Sequence, residues 1–146
     1  MFIMTANITV EGFKSFKPSS FKWTKSLDNY SDTCTVKIPA LMMFKDENSD
    51  NYTKANPTVL FKEGQKIEVS CGYDNNNKNV FKGFIKRINA NIPIELECEG
   101  YSYQLRNKEA FSKSYTSTTV RNILQDLVKN TDIKIHSKVP QITVKK

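Results

Sequence analysis

Glycine and proline are scarce in this chain, five of each among 146 residues, and the glycines are widely dispersed. That dispersal excludes a glycine-rich loop able to cradle a phosphate. Histidine occurs once, at His136, between Lys134 and Lys138, and is expected on the surface and not as a catalytic base. The three cysteines, Cys34, Cys71 and Cys98, share no close pairing in sequence. A structural zinc site takes four ligands, usually in two close pairs, so neither metal nor cofactor is expected. An odd cysteine count without an export signal also speaks against a disulfide framework, and each thiol falls in an apolar-facing slot of an expected strand. No uninterrupted apolar run approaches the roughly 20 residues that cross a bilayer, so no membrane-spanning segment is expected. The opening MFIMTANITVEG lacks the basic and apolar regions of a secretory signal, which makes the cytoplasm the default origin. The sequons at Asn7, Asn29 and Asn51 carry no meaning in that setting.

Arginine is confined to Arg87, Arg106 and Arg121, so the net charge of +7 comes almost entirely from lysine. A basic domain raises the question of nucleic acid, because Lys and Arg contacts to phosphate supply most non-specific affinity. The lysines are scattered, however, at strand-alternating positions such as Lys22, Lys25, Lys37, Lys66, Lys82 and Lys86. Lysine on the polar face of strands keeps sheet edges soluble and unpaired, which is the reading preferred here. Nucleic acid is therefore not expected as the main partner.

What is present is strand. Ile67, Val69, Cys71 and Tyr73 alternate with charged or small residues, the period of a half-buried strand. The polar run Asp74–Asn79 follows, where a hairpin must reverse. Phe81, Gly83 and Ile85 open a second strand, with Gly83 free to bend or bulge it toward closure. Ile94, Leu96 and Cys98 alternate through a third, within a segment continuing to Leu105. Upstream, Ile8 and Val10 mark a strand ending near Gly12, Phe21 and Trp23 another with Trp23 expected in the core, and Thr33 to Ile38 a third ended by Pro39. The long segment Ala40 to Thr58 opens with Leu41, Met42, Met43 and Phe44, either a short helix under the barrel or a patch for another subunit. Lys45 to Pro57 is expected to be a loop. Toward the end, Val120, Ile123, Leu124, Leu127 and Val128 form one apolar helical stripe, expected to pack as core. Ser117 or Thr118 would cap it and Lys129 would suit its last turn. Short strands are expected at Ile133–Ile135 and at Ile142–Val144. The fold class is thus mainly β, an antiparallel barrel containing a meander over 1–105, followed by a small α+β unit over 106–146.

Catalytic constellations are hard to find. Glu95, Glu97 and Glu99 alternate on one strand face, and alternate strand positions lie about 7 Å apart. No aromatic cleft accompanies them, and an acidic strand face is usually solvated or paired with lysine. No small-molecule substrate and no enzymatic activity are expected.

The order of certain elements resembles a known family. Phe61-x-x-Gly64, Gly72-Tyr73, Phe81-x-Gly83-x-Ile85 and Cys98-Glu99 follow one another at spacings similar to those of the baseplate hub proteins of contractile-tailed bacteriophages. That is the late control protein D family, whose N-terminal module type VI secretion spikes share. Val36-Lys37-Ile38-Pro39 upstream and the Thr-led helix downstream extend the likeness over roughly Asp28 to Ile135. Gly100 departs from the pattern, where the family usually carries an acidic residue. The resemblance implies a hub- and tail-tube-like barrel, a structural phage or prophage tail component in the virion baseplate after assembly from the cytoplasm. It implies a homotrimeric ring, with tail tube and spike proteins as partners and Leu41, Met42, Met43 and Phe44 as a candidate subunit contact. Hubs of this kind are longer, so the small unit reads either as an appendage or as the start of a second domain. Two alternatives stand beside it. One is a basic single-strand-binding barrel stacking bases on Trp23, Tyr73, Phe81 and Phe84; the other is a tail adaptor or receptor-binding component.

Overall fold

The structure is a computed structural model, and it describes all residues except 1, 2, 46, 47, 49, 50, 111 and 146. The chain divides into two compact units, Met1–Tyr103 and Gln104–Lys146. The first contains β1 (Met4–Val10), β2 (Ser20–Thr24), β3 (Thr33–Ile38), β4 (Met42–Lys45), β5 (Tyr52–Ala55), the short helix α1 (Pro57–Leu60), β6 (Lys66–Tyr73), β7 (Asn76–Asn89) and β8 (Ile94–Glu99). Helix α2 (Ser102–Asn107) starts at its end, and β9 (Ser117–Thr119), α3 (Val120–Val128) and β10 (Thr143–Lys145) belong to the second. Six strands of the first unit form one antiparallel sheet in the order β1-β6-β7-β8-β3-β2. The fold is therefore mainly antiparallel β, curled and barrel-like. The sheet is not closed, however, because β1 and β2 are its two edges and do not pair with each other.

The expected meander is β6, β7 and β8. Its first turn is tighter than the polar run suggests: β7 begins at Asn76, leaving only Asp74 and Asn75 between strands, both with positive φ (52° and 65°). Two left-handed residues make the primed turn that matches strand twist, and Asp and Asn tolerate that conformation better than other side chains. The long β7 curls because it carries an extra residue twice. Register shifts where Val69 faces Phe81 but Ser70 faces Asn79, and again where Ile85 faces Cys98 but Arg87 faces Glu97. Val80 and Lys86 are the bulged residues, and such bulges bend a strand and increase its twist. Gly83, expected to be the bend itself, lies between them. A Cβ there would stand 2.2 Å from the carbonyl oxygen of Glu99, so the glycine permits close approach of β8.

One side of the curled sheet encloses the core: Ile8, Val10, Cys34, Val36, Ile38, Ile67, Val69, Phe81, Ile85, Ile94, Leu96 and Cys98 are all buried. Four phenylalanines complete it. Phe13, Phe16, Phe44 and Phe61 bring their ring centroids 5.3–5.9 Å apart, mostly edge to face, which suits the ring quadrupoles. Phe44 arrives there on β4, which pairs with β5 from Met42–Ala55 to Lys45–Tyr52. The segment expected to be a loop or short helix is thus largely a hairpin, and the part of it at 46, 47, 49 and 50 lies outside the described residues. Strand alternation sorts the apolar quartet: Phe44 is buried and Met42 packs against the core, while Leu41 and Met43 are exposed.

Other expectations shift in the same way. Trp23 is 42% exposed and stacks on half-buried Phe21, so it is not core. The third strand of the meander does end at Glu99, because Gly100 turns the chain: its N–H donates to the carbonyl of Asp32 at 2.8 Å and its carbonyl accepts from Tyr103 at 3.0 Å. Tyr101 and Tyr103 then cover Phe84 on the outer face of β7. Cys34 and Cys98 face each other across β3 and β8 and are buried, whereas Cys71 is half-buried beyond the first bulge. Burial pushes the Cys34 thiol up to about 12 and raises Cys98 well above its ordinary value, first through desolvation and then through neighbouring Cys34.

In the second unit, α3 carries the expected stripe, but none of its residues is fully buried, so the helix is half-covered and not a core element. Its cap is Thr119, whose Oγ1 accepts from the N–H of Asn122 at 3.3 Å. Ser117 and Thr118 pair instead with Lys145 and Val144 in a two-stranded ladder. Ile133–Ile135 forms no strand, while Val144 lies in β10. On α3, Asp126 accepts from Lys113 Nζ and from the Tyr115 hydroxyl (2.6 Å for the latter). The lysine bond, then the tyrosine bond, hold the Asp126 carboxyl below its ordinary 3.8, and the same contact raises Lys113.

Three outcomes follow from this packing. Phe44→Ala should destabilise the protein by about 4 kcal/mol, whereas Met43→Asp, one residue earlier, should cost less than about 0.5 kcal/mol; urea midpoints compare the two. Native-state alkylation should modify Cys71 long before Cys34 or Cys98, with mass spectrometry reading the order, since the thiolate is the nucleophile. Asp126 favours the folded state above its unfolded value, and that contribution disappears as pH falls through its lower folded value. A carboxyl NMR titration should therefore place its midpoint below 3.8, and Lys113→Met should return it upward.

Candidate functional site

The feature of the first unit that can do work is the gap where the sheet fails to close. Residues Ile3 to Ala6 on the β1 side and Lys17 to Phe21 on the β2 side line a groove of about 480 Å³. Its geometry follows from strand parity. Ile8 exchanges both backbone bonds with Phe16, at 2.8 and 2.9 Å, so the even residues of β1 direct their N–H and C=O away from β6. Ile3, of odd parity, exchanges its bonds with Asp74 on the β6 side. Met4 and Ala6 therefore direct their peptide groups at the groove, where no strand pairs with them. Their side chains share the face of the fully buried Ile8 and Val10, yet Met4 is 64% exposed. The inner face of the sheet, filled by four phenylalanines beyond Ile8, is uncovered at this end.

Electrostatically the groove is basic at its rim. Lys17 lines it, is exposed and forms no ion pair among the described residues, whereas Lys22 on β2 lies on the opposite face of the sheet, beside Thr35 and Glu95. On the same edge, Phe21 and Trp23 stack with centroids 5.6 Å apart.

The acidic strand face differs in kind. Lys37 Nζ lies 3.5 Å from Glu95, Asn89 donates to Glu97 at 2.7 Å, and Lys86 Nζ lies 3.9 Å from Glu99. Glu99 is 3% exposed and also accepts from the Ser102 hydroxyl at 3.2 Å. These carboxylates line a depression of about 220 Å³ together with Thr33, Thr35 and the strand edges around Cys34 and Cys98. Each is engaged by a neighbour on the sheet, which suits cross-strand pairing better than general acid–base work. Among the described residues, no three His, Cys, Asp or Glu side chains gather as metal ligands would. His136 is exposed, and its Nδ1 accepts from the N–H of Lys138 at 3.1 Å.

The residues singled out in sequence are structural neighbours more than a site. Phe61 is in the phenylalanine cluster, Phe81, Ile85 and Cys98 are core, and Glu99 is buried on the outer face beside Phe84. Gly64 has φ of +87°, a turn conformation that side chains rarely adopt, and its N–H donates to Ile85 at 2.8 Å. Gly72 sits against the Asn76 carbonyl across the hairpin. Tyr73 is 59% exposed at the end of β6. The proposed base-stacking platform does not assemble: Phe81 and Phe84 are buried, and Tyr73 and Trp23 stand on β6 and β2, four strands apart in the sheet. Phe13, Phe16 and the groove itself escaped sequence reasoning. A Phe-x-x-Phe spacing between two expected strands was the available signal for the first two.

Comparison with known proteins corrects the identification drawn from motif order. No curated protein matches the chain. The family model that does match, over residues 26–146, is described as the Alg8 N-terminal domain and not as a phage baseplate hub. The expected tail, baseplate and virion roles, the tail tube and spike partners, and the placement in a virion are withdrawn on that finding, as are the alternatives framed around them. No helix of the described residues is long and apolar enough to cross a membrane, a statement that does not extend to strands. With the match taking in most of its length, this chain belongs to the Alg8 N-terminal domain family.

Proposed function

We propose that this chain is a binding and positioning module of an Alg8-family protein, holding a partner at the open seam between β1 and β2 and making or breaking no bonds itself. The observation that carries this reading is the seam: unpaired backbone on β1 and uncovered inner-face side chains at one end of an otherwise filled sheet. The carboxylates, by contrast, are tied to neighbouring lysines, an asparagine and a serine. The Alg8 match suggests a glycosyltransferase-related protein, which conflicts with the expectation of no enzymatic activity. What is proposed is narrower. The matched description names a domain by position and states no reaction, and no bond transfer is assigned to this chain.

Two subsidiary readings go with it. Residues 1–105 act as the sheet module, and 106–146 as a small α+β unit that either ends it or begins a second domain. Exposed Leu41 and Met43, next to core-bound Met42 and Phe44, are the part of the apolar quartet able to serve as a contact surface.

The chain should neither bind a nucleoside diphosphate sugar saturably in calorimetry nor release the nucleotide from it in a coupled assay with Mg²⁺ or Mn²⁺ present. Saturable binding together with nucleotide release, both lost in Glu97→Gln, would overturn the assignment and place chemistry on the acidic face.

A further inference from the structure

We infer that the seam is a strand-docking site whose occupant is an extended, acidic-flanked segment of another protein, paired with the free edge of β1 at Met4 and Ala6. This rests on the module reading above and names its partner's chemistry. An extended backbone is required because what the groove lacks is a ladder: the N–H and C=O groups of Met4 and Ala6 point into it with no strand beyond. A free sheet edge presents donors and acceptors at strand spacing, and a short extended segment supplies their partners. The slot has a stop at one end, since Ile8 already exchanges its bonds with Phe16. It therefore admits a segment of about three to five residues, on the order of 10–17 Å long.

The side chains specify the rest. Alternate residues of the incoming strand would share the inner face with Met4 and Ala6 and meet Phe21 from the other edge, so they are apolar. Residues flanking them would pass Lys17, an exposed lysine without an ion-pair partner among the described residues, in a chain of net charge +7, so they are acidic. The same charge argument disfavours a second copy of this chain. Its net charge is +7, so pairing two copies edge to edge would bring like charge against like charge. The family match begins at residue 26, so both seam-forming strands lie outside it.

The experiment uses a peptide of five alternating Val and Thr residues with two Asp at each end, and a control with Lys in place of Asp. Amide exchange by NMR should show new protection at Met4 and Ala6, and the acidic peptide should bind at least tenfold more tightly than the lysine control at low salt. Ala6→Pro removes a donor that faces the groove and not β6, so the sheet should persist while peptide binding falls at least tenfold. The variant Lys17→Glu keeps the backbone and should abolish the preference for the acidic peptide, which decides the matter even if the proline variant unfolds. Equal affinity for both peptides, no protection at Met4 and Ala6, or a concentration-dependent dimer that protects those amides without peptide would each overturn the proposal. Nucleotide-sugar chemistry on the acidic face would leave the peptide result standing, so the two readings fail separately.

Discussion

A curled sheet has an inner face that must be kept from water, and how that face is filled decides everything else in this protein. Six strands supply the wall, and side chains from the strands alone do not fill the space they enclose. Phe13, Phe16, Phe44 and Phe61 do so at one end, drawn from the β1–β2 connection, the β4 hairpin and the turn before β6. Each fully buried aromatic ring contributes on the order of 2–3 kcal/mol through area alone, with edge-to-face contact adding to it. The bridge of Ile8 to Phe16 locks one of these rings to the edge strand, so packing and backbone pairing support each other there.

The same economy explains why the sheet does not close. Residues after β1 are spent folding back to deliver Phe13 and Phe16, and β2 starts only at Ser20, on the far side of β3. The chain thus fills one end of its barrel with the material that connects the two edges, and leaves the edges themselves unzipped. The open seam and the aromatic cluster are two results of one routing decision, and exposed lysines guard the edges that the routing leaves bare.

Sequence revealed those parts of the fold whose period is local. β6 and β8 were readable because Ile67, Val69, Ile94, Leu96 and Cys98 alternate without interruption and are all buried. β7 was readable as a strand, but its bulges at Val80 and Lys86 were not, because a bulge is defined by the partner strand and leaves no local signature. Gly83 attracted attention for bending and proved to be needed for contact with β8. Leu41 to Phe44 looked like one apolar patch until alternation on β4 divided it between core and solvent. Trp23 and the α3 stripe were over-assigned to the core for a related reason: apolar periodicity tells which residues share a face, not whether anything covers that face. The seam was invisible, since an unpaired edge is known only from which strands fail to meet. Motif order misled for the same reason, because a turn glycine and a strand-ending Gly-Tyr report the geometry of a meander and not its ancestry.

The stack of Trp23 on Phe21 has one more consequence. This indole is the chain's sole tryptophan, it is neither fully wet nor fully dry, and its ring partner is itself a wall of the groove. Its fluorescence is consequently a built-in optical gauge of that corner: emission wavelength and quenching register whatever enters or leaves beside Phe21, with no added dye and no competing chromophore of the same kind elsewhere in the molecule.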